Sequence, residues 1–216
     1  VIGTDITAPT CATCHNSLLV SPGGSVIAER THDFGDRLWV RLFGLIYSHP
    51  QPKSGDTTII LNKDNMPLPA TFTGELASDF LITQTEQDNR YNKMKNVCKS
   101  CHSSNYIYGH FKKLDNTIKE TDEMTLSATK LVVEAWDKGV EDKKNPFDEQ
   151  IEKLWIRQWL FYSNSVRYAS AMTGAHDYAA FKNGWWELSE NLQKMRDMLD
   201  IKELSKKKII EHNKDD

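Results

Sequence analysis

Two short stretches concentrate the residue types that could do chemistry: "PTCATCHNS" (9–17) and "NVCKSCHSS" (96–104). Each packs two cysteines and a histidine into five residues: Cys11, Cys14 and His15 in the first, Cys98, Cys101 and His102 in the second. Together they use all 4 cysteines of the chain. Three chemistries use such a pattern. Four thiolates can close a zinc site, but zinc ribbons hold their two Cys pairs about 15–20 residues apart, and the gap from Cys14 to Cys98 is far longer. A redox dithiol opens a helix after a strand in a thioredoxin-like unit, and neither motif follows a Val/Ile-rich run. The third chemistry is covalent haem attachment. Two thiols so spaced reach the two vinyl groups of one porphyrin, and the histidine that follows lies beneath the iron as its proximal ligand. One such pentapeptide is weak; two that consume every cysteine are strong. The pattern predicts a dihaem c-type cytochrome, with two covalently bound haem c groups whose irons take His15 and His102.

Stepping outward, the elements that must position these motifs divide unequally. Residues 1–115 carry both motifs and have poor periodicity; "HPQPKSGD" (49–56) and "NKDNMPLPAT" (62–71) hold four prolines and read as long loops that wrap a cofactor. "DRLWVRLFGLIY" (36–47) reads as a short apolar helix or buried segment, and 77–97 as a helix delivering the second motif. Residues 116–204 read as helical. One helix over 122–139 ends at Gly139, and a second starts at Asn145 and Pro146, a cap followed by proline in the first turn. Phe147, Ile151, Leu154, Trp155, Tyr162, Val166 and Ala169 mark its apolar face. The last helix spaces Trp185, Leu188, Leu192, Met195 and Leu199 at three- and four-residue steps, like a coiled-coil seam. Residues 205–216 read as a charged, fraying tail. The predicted fold class is mainly α: a multihaem-cytochrome-like region with long loops, followed by a bundle of long C-terminal helices.

Composition narrows the partners. The 216 residues carry 27 basic and 30 acidic side chains, which leaves no polybasic footprint for nucleic acid or anionic membrane. No apolar run approaches the ~20 residues of a membrane span. Only 39% of residues are hydrophobic, yet there are 6 tryptophans and 7 tyrosines, a composition suited to a thin core partly filled by something other than amino acid. Haem is attached outside the cytoplasm. The expected location is therefore extracytoplasmic (the periplasm or an equivalent compartment such as an anammoxosome), with the signal peptide already removed.

The segments "APTCATCH", "THDFGDRL", "VCKSCHSSNY" and "NPFDEQIEKLWIRQWLFYSNSVRYASAMTGAHDYAAFKNGWWELS" occur in this order. In that order the chain resembles the C-terminal part of the octahaem hydroxylamine oxidoreductase and hydrazine dehydrogenase family, over nearly its whole length. The resemblance implies that the two motifs hold the last two haems, followed by a domain of long helices used in oligomer formation. It also implies that the family's catalytic haem belongs to a part of the fold preceding Val1, so that wiring is kept without the reaction centre. Tyr178, in "AHDYAAF", falls about where oxidative family members place a tyrosine that cross-links to a neighbouring subunit's catalytic haem. In this chain it would serve only as a cross-link or interface residue on a partner; the plainer reading is an aromatic packed at a helix start.

Electron transfer favours six-coordinate iron, so distal ligands matter. His32 in "RTHDFG" lies between the motifs, and the resemblance implies a distal ligand there, to the second haem. His49 sits on a proline-stiffened loop. His110 follows His102 by about two helical turns; on a helix it would face the same side and reach the other haem. His176 and His212 read as capping or solvated, and Met66 is an alternative thioether ligand that would raise the potential. Bis-histidine ligation would put both haems at the low-potential end of the ~0.8 V range that axial ligands span.

The expected function is electron transport, as a subunit or redox partner of a larger multihaem enzyme resembling the octahaem oxidoreductases of the nitrogen cycle. The chain would form a hetero-oligomer with that enzyme and exchange electrons with a small external carrier, without binding substrate. The alternative is a small haem enzyme, a nitrogen-oxide reductase or peroxidase, with one open iron. A haem-based sensor or scaffold is the third class.

Overall fold

In the computed structural model, which describes residues 9–39, 71–75, 82–145, 147–173 and 184–213, helices dominate. Among the described residues the only ladder is a two-stranded antiparallel ribbon, β1 (Leu19–Val20) against β2 (Val26–Ala28), so the mainly-α prediction holds. Its turn is closed by Ser21 N–H to Ser25 O and Gly24 N–H to Ser21 O. Gly24 sits there at φ +84°, which a side chain would resist. The described residues form two compact units: residues up to 39 with 82–111, and 71–75 with 112–213.

The first unit contains α1 (Cys11–His15), the ribbon, a 3₁₀ turn (Phe34–Arg37), α2 (Gln84–Lys99) and the first turns of α3 (Ser104–Asp137). The predicted helix over 77–97 is seen from Gln84, because the Thr83 side chain accepts from Glu86 N–H and caps it there; residues 77–81 lie outside the described residues. So do 40–47 of the predicted apolar segment and both proline-rich loops up to residue 70. Among the described residues the core of this unit is small. Ala28, Met94, Val97, Ile107 and Phe111 are buried, and Trp39 stacks on Phe111 at 5.0 Å with Tyr91 edge-on to both.

The second unit is built from the rest of α3, then α4 (Gln150–Ile156), a π turn (Arg157–Tyr162) and α5 (Ser163–Thr173), and finally α6 (Trp185–His212). Its core joins Leu131, Val132 and Trp136 of α3 to Ile151, Leu154, Trp155 and Trp159, and to Met195 and Leu199 of α6. Gly139 ends α3 as predicted. At φ +61° it forms a Schellman closure, with Val140 N–H on Ala135 O and Gly139 N–H on Trp136 O. The predicted start at Asn145 is corrected. The helix begins at Gln150 because Glu149 and Glu152 form a reciprocal capping box four residues further on. α6 continues to His212, so most of the charged segment is helical. The Lys206 ammonium in this stretch donates to the Lys138 and Gly139 carbonyls at the end of α3, tying the charged segment down.

The seam of α6 differs from an apolar one in a single position. Leu188, Met195 and Leu199 are buried as expected, Trp185 and Leu192 only partly, and Asn191 is buried among them. Its amide donates to Leu154 O (3.0 Å), at the entry to the π turn, and to Gln158 Oε1 (2.7 Å). Along α3, Thr117, Thr121, Thr125 and Thr129 are buried on one face, each hydroxyl donating to the carbonyl four residues back. Trp155 Nε1 and Ser163 Oγ then bond Thr129 and Thr125.

Two carboxyls of this unit, the fully buried Glu152 and the partly buried Asp122, are displaced from their ordinary range. Burial pushes Glu152 up to about 7 and Asp122 up to about 6, the Trp136 indole N–H opposing the first shift and Arg167 the second. A carboxyl whose folded pKa exceeds its unfolded value stabilises the fold at low pH and loses that contribution as pH rises through the folded value. The thermal midpoint of the chain, followed by far-UV circular dichroism, is therefore expected to fall between about pH 4.5 and pH 7. Glu152→Gln should flatten part of that slope; an unchanged slope would remove Glu152 as its source.

Candidate functional site

Both Cys-Xaa-Xaa-Cys-His motifs sit on a helical turn, the second straddling the end of α2. The first is the single turn α1; the second closes α2, with Cys101 N–H (3.1 Å) and His102 N–H (2.9 Å) both on Cys98 O. In a helical turn, residues three and four apart share a face. Each pair of thiols and its imidazole are thereby turned to one side, able to engage a single flat group. The motifs belong to the same unit. Cys14 and Cys98 both pack against its core, and Cys14 lies near enough to Cys98 and Cys101 for their charges to interact.

The thiols do not suit the competing chemistries. All four are free. Burial, followed by the neighbouring thiols, raises the pKa of Cys14 and of Cys98, whereas a redox dithiol depends on a lowered one. A zinc tetrathiolate needs Zn–S distances of about 2.3 Å. Among the described residues no three cysteine or histidine ligand atoms lie within 4.8 Å of one another; the one such group is Asp148, Glu149 and Glu152. There Glu152 already accepts from Trp136 Nε1 and from the backbone of Asp148 and Glu149, so that group is a helix cap.

A large apolar ligand is what the surroundings would accommodate. Leu18, Val20, Val26, Phe34, Tyr106 and Tyr108 are exposed in the same small unit that carries the motifs. Nδ1 of His15 is buried without a hydrogen-bond partner, and Phe34 stacks on its ring at 5.7 Å. Burial and then the Arg37 charge push the His15 imidazole toward its neutral form, the form that ligates a metal. The residues present therefore fit a haem group.

Arg37, at the end of the 3₁₀ turn, was not legible as a site residue. Its guanidinium is fully buried and donates to Cys14 O (2.8 Å), Ser17 O (2.7 Å) and Glu29 O (2.6 Å). It thereby joins the end of α1, the approach to β1 and the exit of β2. The turn that carries it is held from α2, by Arg90 on Gly35 O (2.8 Å) and Lys93 on Asp36 (3.1 Å). An arginine beside Leu38 and Trp39 was the available signal.

The distal candidates fare differently. His32 is exposed on the segment before the turn; its neighbour Thr31 exchanges hydrogen bonds with Asn16, placing His32 close in the fold to the end of the first motif. His110 lies on α3, where Tyr106 stands between it and His102. The His102 and Tyr106 rings stack at 4.3 Å and Tyr106 and His110 at 6.5 Å, a ladder along one face. His212 is exposed at the end of α6. His49, Met66, His176 and Tyr178 lie outside the described residues.

No protein-family model matches the chain, and no curated protein does. Among solved structures it is similar to one described as a hypothetical multiheme protein. The match has a TM-score of 0.74 and 38% identity, and covers 95% of this chain. The chain spans about half the length of that protein, 47%.

Removing the guanidinium should loosen the first motif locally. Arg37→Leu leaves three carbonyls without their charged donor, at about 1.5–3 kcal/mol each, against relief from burying the charge. We expect a net loss of about 2–4 kcal/mol. Hydrogen exchange should then accelerate at residues 14–31 while the α6 amides stay protected; protection retained at 14–31 would contradict the role assigned to Arg37.

Proposed function

We propose that this chain is a multihaem-type cytochrome that carries two covalently attached c-type haems and transfers electrons. Cys11 and Cys14 would hold one porphyrin and Cys98 and Cys101 the other, with His15 and His102 as proximal iron ligands. The observation that carries the reading is the pairing of both motifs, each on a helical turn, within one small unit whose core is thin and whose apolar side chains are exposed. The likeness to a hypothetical multiheme protein over nearly the whole chain supports it.

The haem supplies the one-electron chemistry; the chain's residues do the rest. The helical turns aim thiols and imidazole at one face, Arg37 fixes the turn of the first motif, and the Tyr106 ring restrains His102. As part of this proposal, the chain serves as a subunit or redox partner of a larger multihaem enzyme of the octahaem oxidoreductase kind, in an extracytoplasmic compartment. The long helices of the second unit would supply docking surface.

Expression in a host that matures c-type cytochromes tests the attachment directly. Intact mass and the pyridine haemochrome spectrum should give two haems per chain, and Cys11→Ser with Cys14→Ser, or Cys98→Ser with Cys101→Ser, should each leave one. Zinc or a disulfide in place of haem would end the reading. Purification from the native source should recover the chain with a larger multihaem protein; recovery only as a free monomer would count against the subunit role.

A further inference from the structure

We propose that Arg37 is a fixed buried charge that raises the reduction potential of the haem held by the first motif, shifting the electron balance of the pair toward it. The inference rests on the dihaem reading above. A guanidinium that is 0% exposed is not screened by water. Its three acceptors are neutral carbonyls, and one of them belongs to Cys14, the residue that precedes His15. The charge therefore sits one peptide from the imidazole that would hold the first iron.

No carboxylate of the described residues neutralises it. Among the described residues Arg37 has no ion pair; nearby, Asp36 pairs with Lys93 and Glu86 with Arg90. The carboxylate of Asp33 accepts from Gly35 N–H. Burying an unpaired charge is expensive, and three hydrogen bonds to carbonyl oxygens offset that cost without cancelling the charge. Around the second motif the described cations are of another kind: Lys99 is exposed and Lys95 half-buried over the Tyr91 ring, so solvent screens them.

The sign follows from charge alone. Reduction adds one electron to a ferric centre and lowers its charge by one, and a nearby buried cation favours the lower-charge state. If one electron passed from a haem held at His102 to one held at His15, Arg37 would neither gain nor lose a proton. Its constant charge would bias the step in that direction.

The test is an optically monitored redox titration of the full, haem-loaded chain, read as two one-electron waves. R37Q keeps amide donors for the carbonyls and removes the charge; R37K keeps the charge and forfeits most of the carbonyl contacts. We expect R37Q to move one wave to lower potential and leave the other in place, and R37K to move it much less. The wave that moves should be the one whose EPR signal changes in His15→Met. Should R37Q not fold, Arg37→Met removes the charge with a side chain of similar length and is read in the same way. Waves unmoved by loss of the charge, or moved equally in both haems, would overturn the inference, as would R37K shifting the wave as far as R37Q. A wild-type chain that takes up no haem overturns the dihaem reading and this with it; an unmoved titration on a loaded chain overturns this inference alone.

Discussion

The first unit depends on one side chain spending its donors on the backbone. Among the described residues its hydrophobic cluster has five buried members, which gives α1, the ribbon and the 3₁₀ turn little apolar surface with which to hold each other. Arg37 supplies the connection that packing does not. Its fork reaches three carbonyls in three different segments, and α2 in turn holds the turn that carries it through Arg90 and Lys93. The first Cys-Xaa-Xaa-Cys-His turn is thus positioned by a cation and the second by the end of a long helix. The same chemical motif is supported by two different physical means.

The second unit solves a different problem, how to pack long helices closely when one of them changes its pitch. The π turn at Arg157–Tyr162 buries Gln158 and Trp159. Asn191 answers from α6 by bonding both Gln158 and the Leu154 carbonyl, and the α3 threonines answer by returning their hydroxyls to their own helix and accepting Trp155 and Ser163. Each of these polar groups is costly if left unpaired and specifying when paired. They fix the register of the helices, which apolar contact alone would leave looser. The Arg167–Asp122 pair, with Arg167 almost entirely buried, belongs to the same polar interior.

What could be read from the sequence follows from range. The two Cys-Xaa-Xaa-Cys-His motifs stand out in the sequence because each is five consecutive residues, and Gly139 was legible because a left-handed C-cap is a local demand. The seam of α6 was legible through Leu188, Met195 and Leu199. Arg37 was not, since its three acceptors are backbone atoms 8 to 23 residues away, and no side-chain pattern marks a carbonyl. The threonine face of α3 escaped because hydroxyls that bond their own helix look polar in sequence and pack as if they were not. Asn145–Pro146 and Glu149–Glu152 are both sound helix-start signals, and the helix starts at Gln150 because the buried Glu152 is tied to Trp136. His32 and His110 were legible as histidines near the motifs; which iron each one faces is a long-range property that no local pattern encodes.

In the proposed dihaem reading the two Cys-Xaa-Xaa-Cys-His motifs, one beside a buried cation and one beside a histidine–tyrosine ladder, would make a short conductor with unequal ends. A chain that only transfers electrons, as proposed, would close both irons with protein ligands. The most direct measurement is the optical spectrum of the reduced, haem-loaded chain before and after carbon monoxide, with the EPR spectrum of the oxidised form. The account predicts two low-spin haems and a reduced spectrum that carbon monoxide leaves unchanged. A high-spin signal with a carbon monoxide-shifted Soret band would place an open iron in this chain and contradict it.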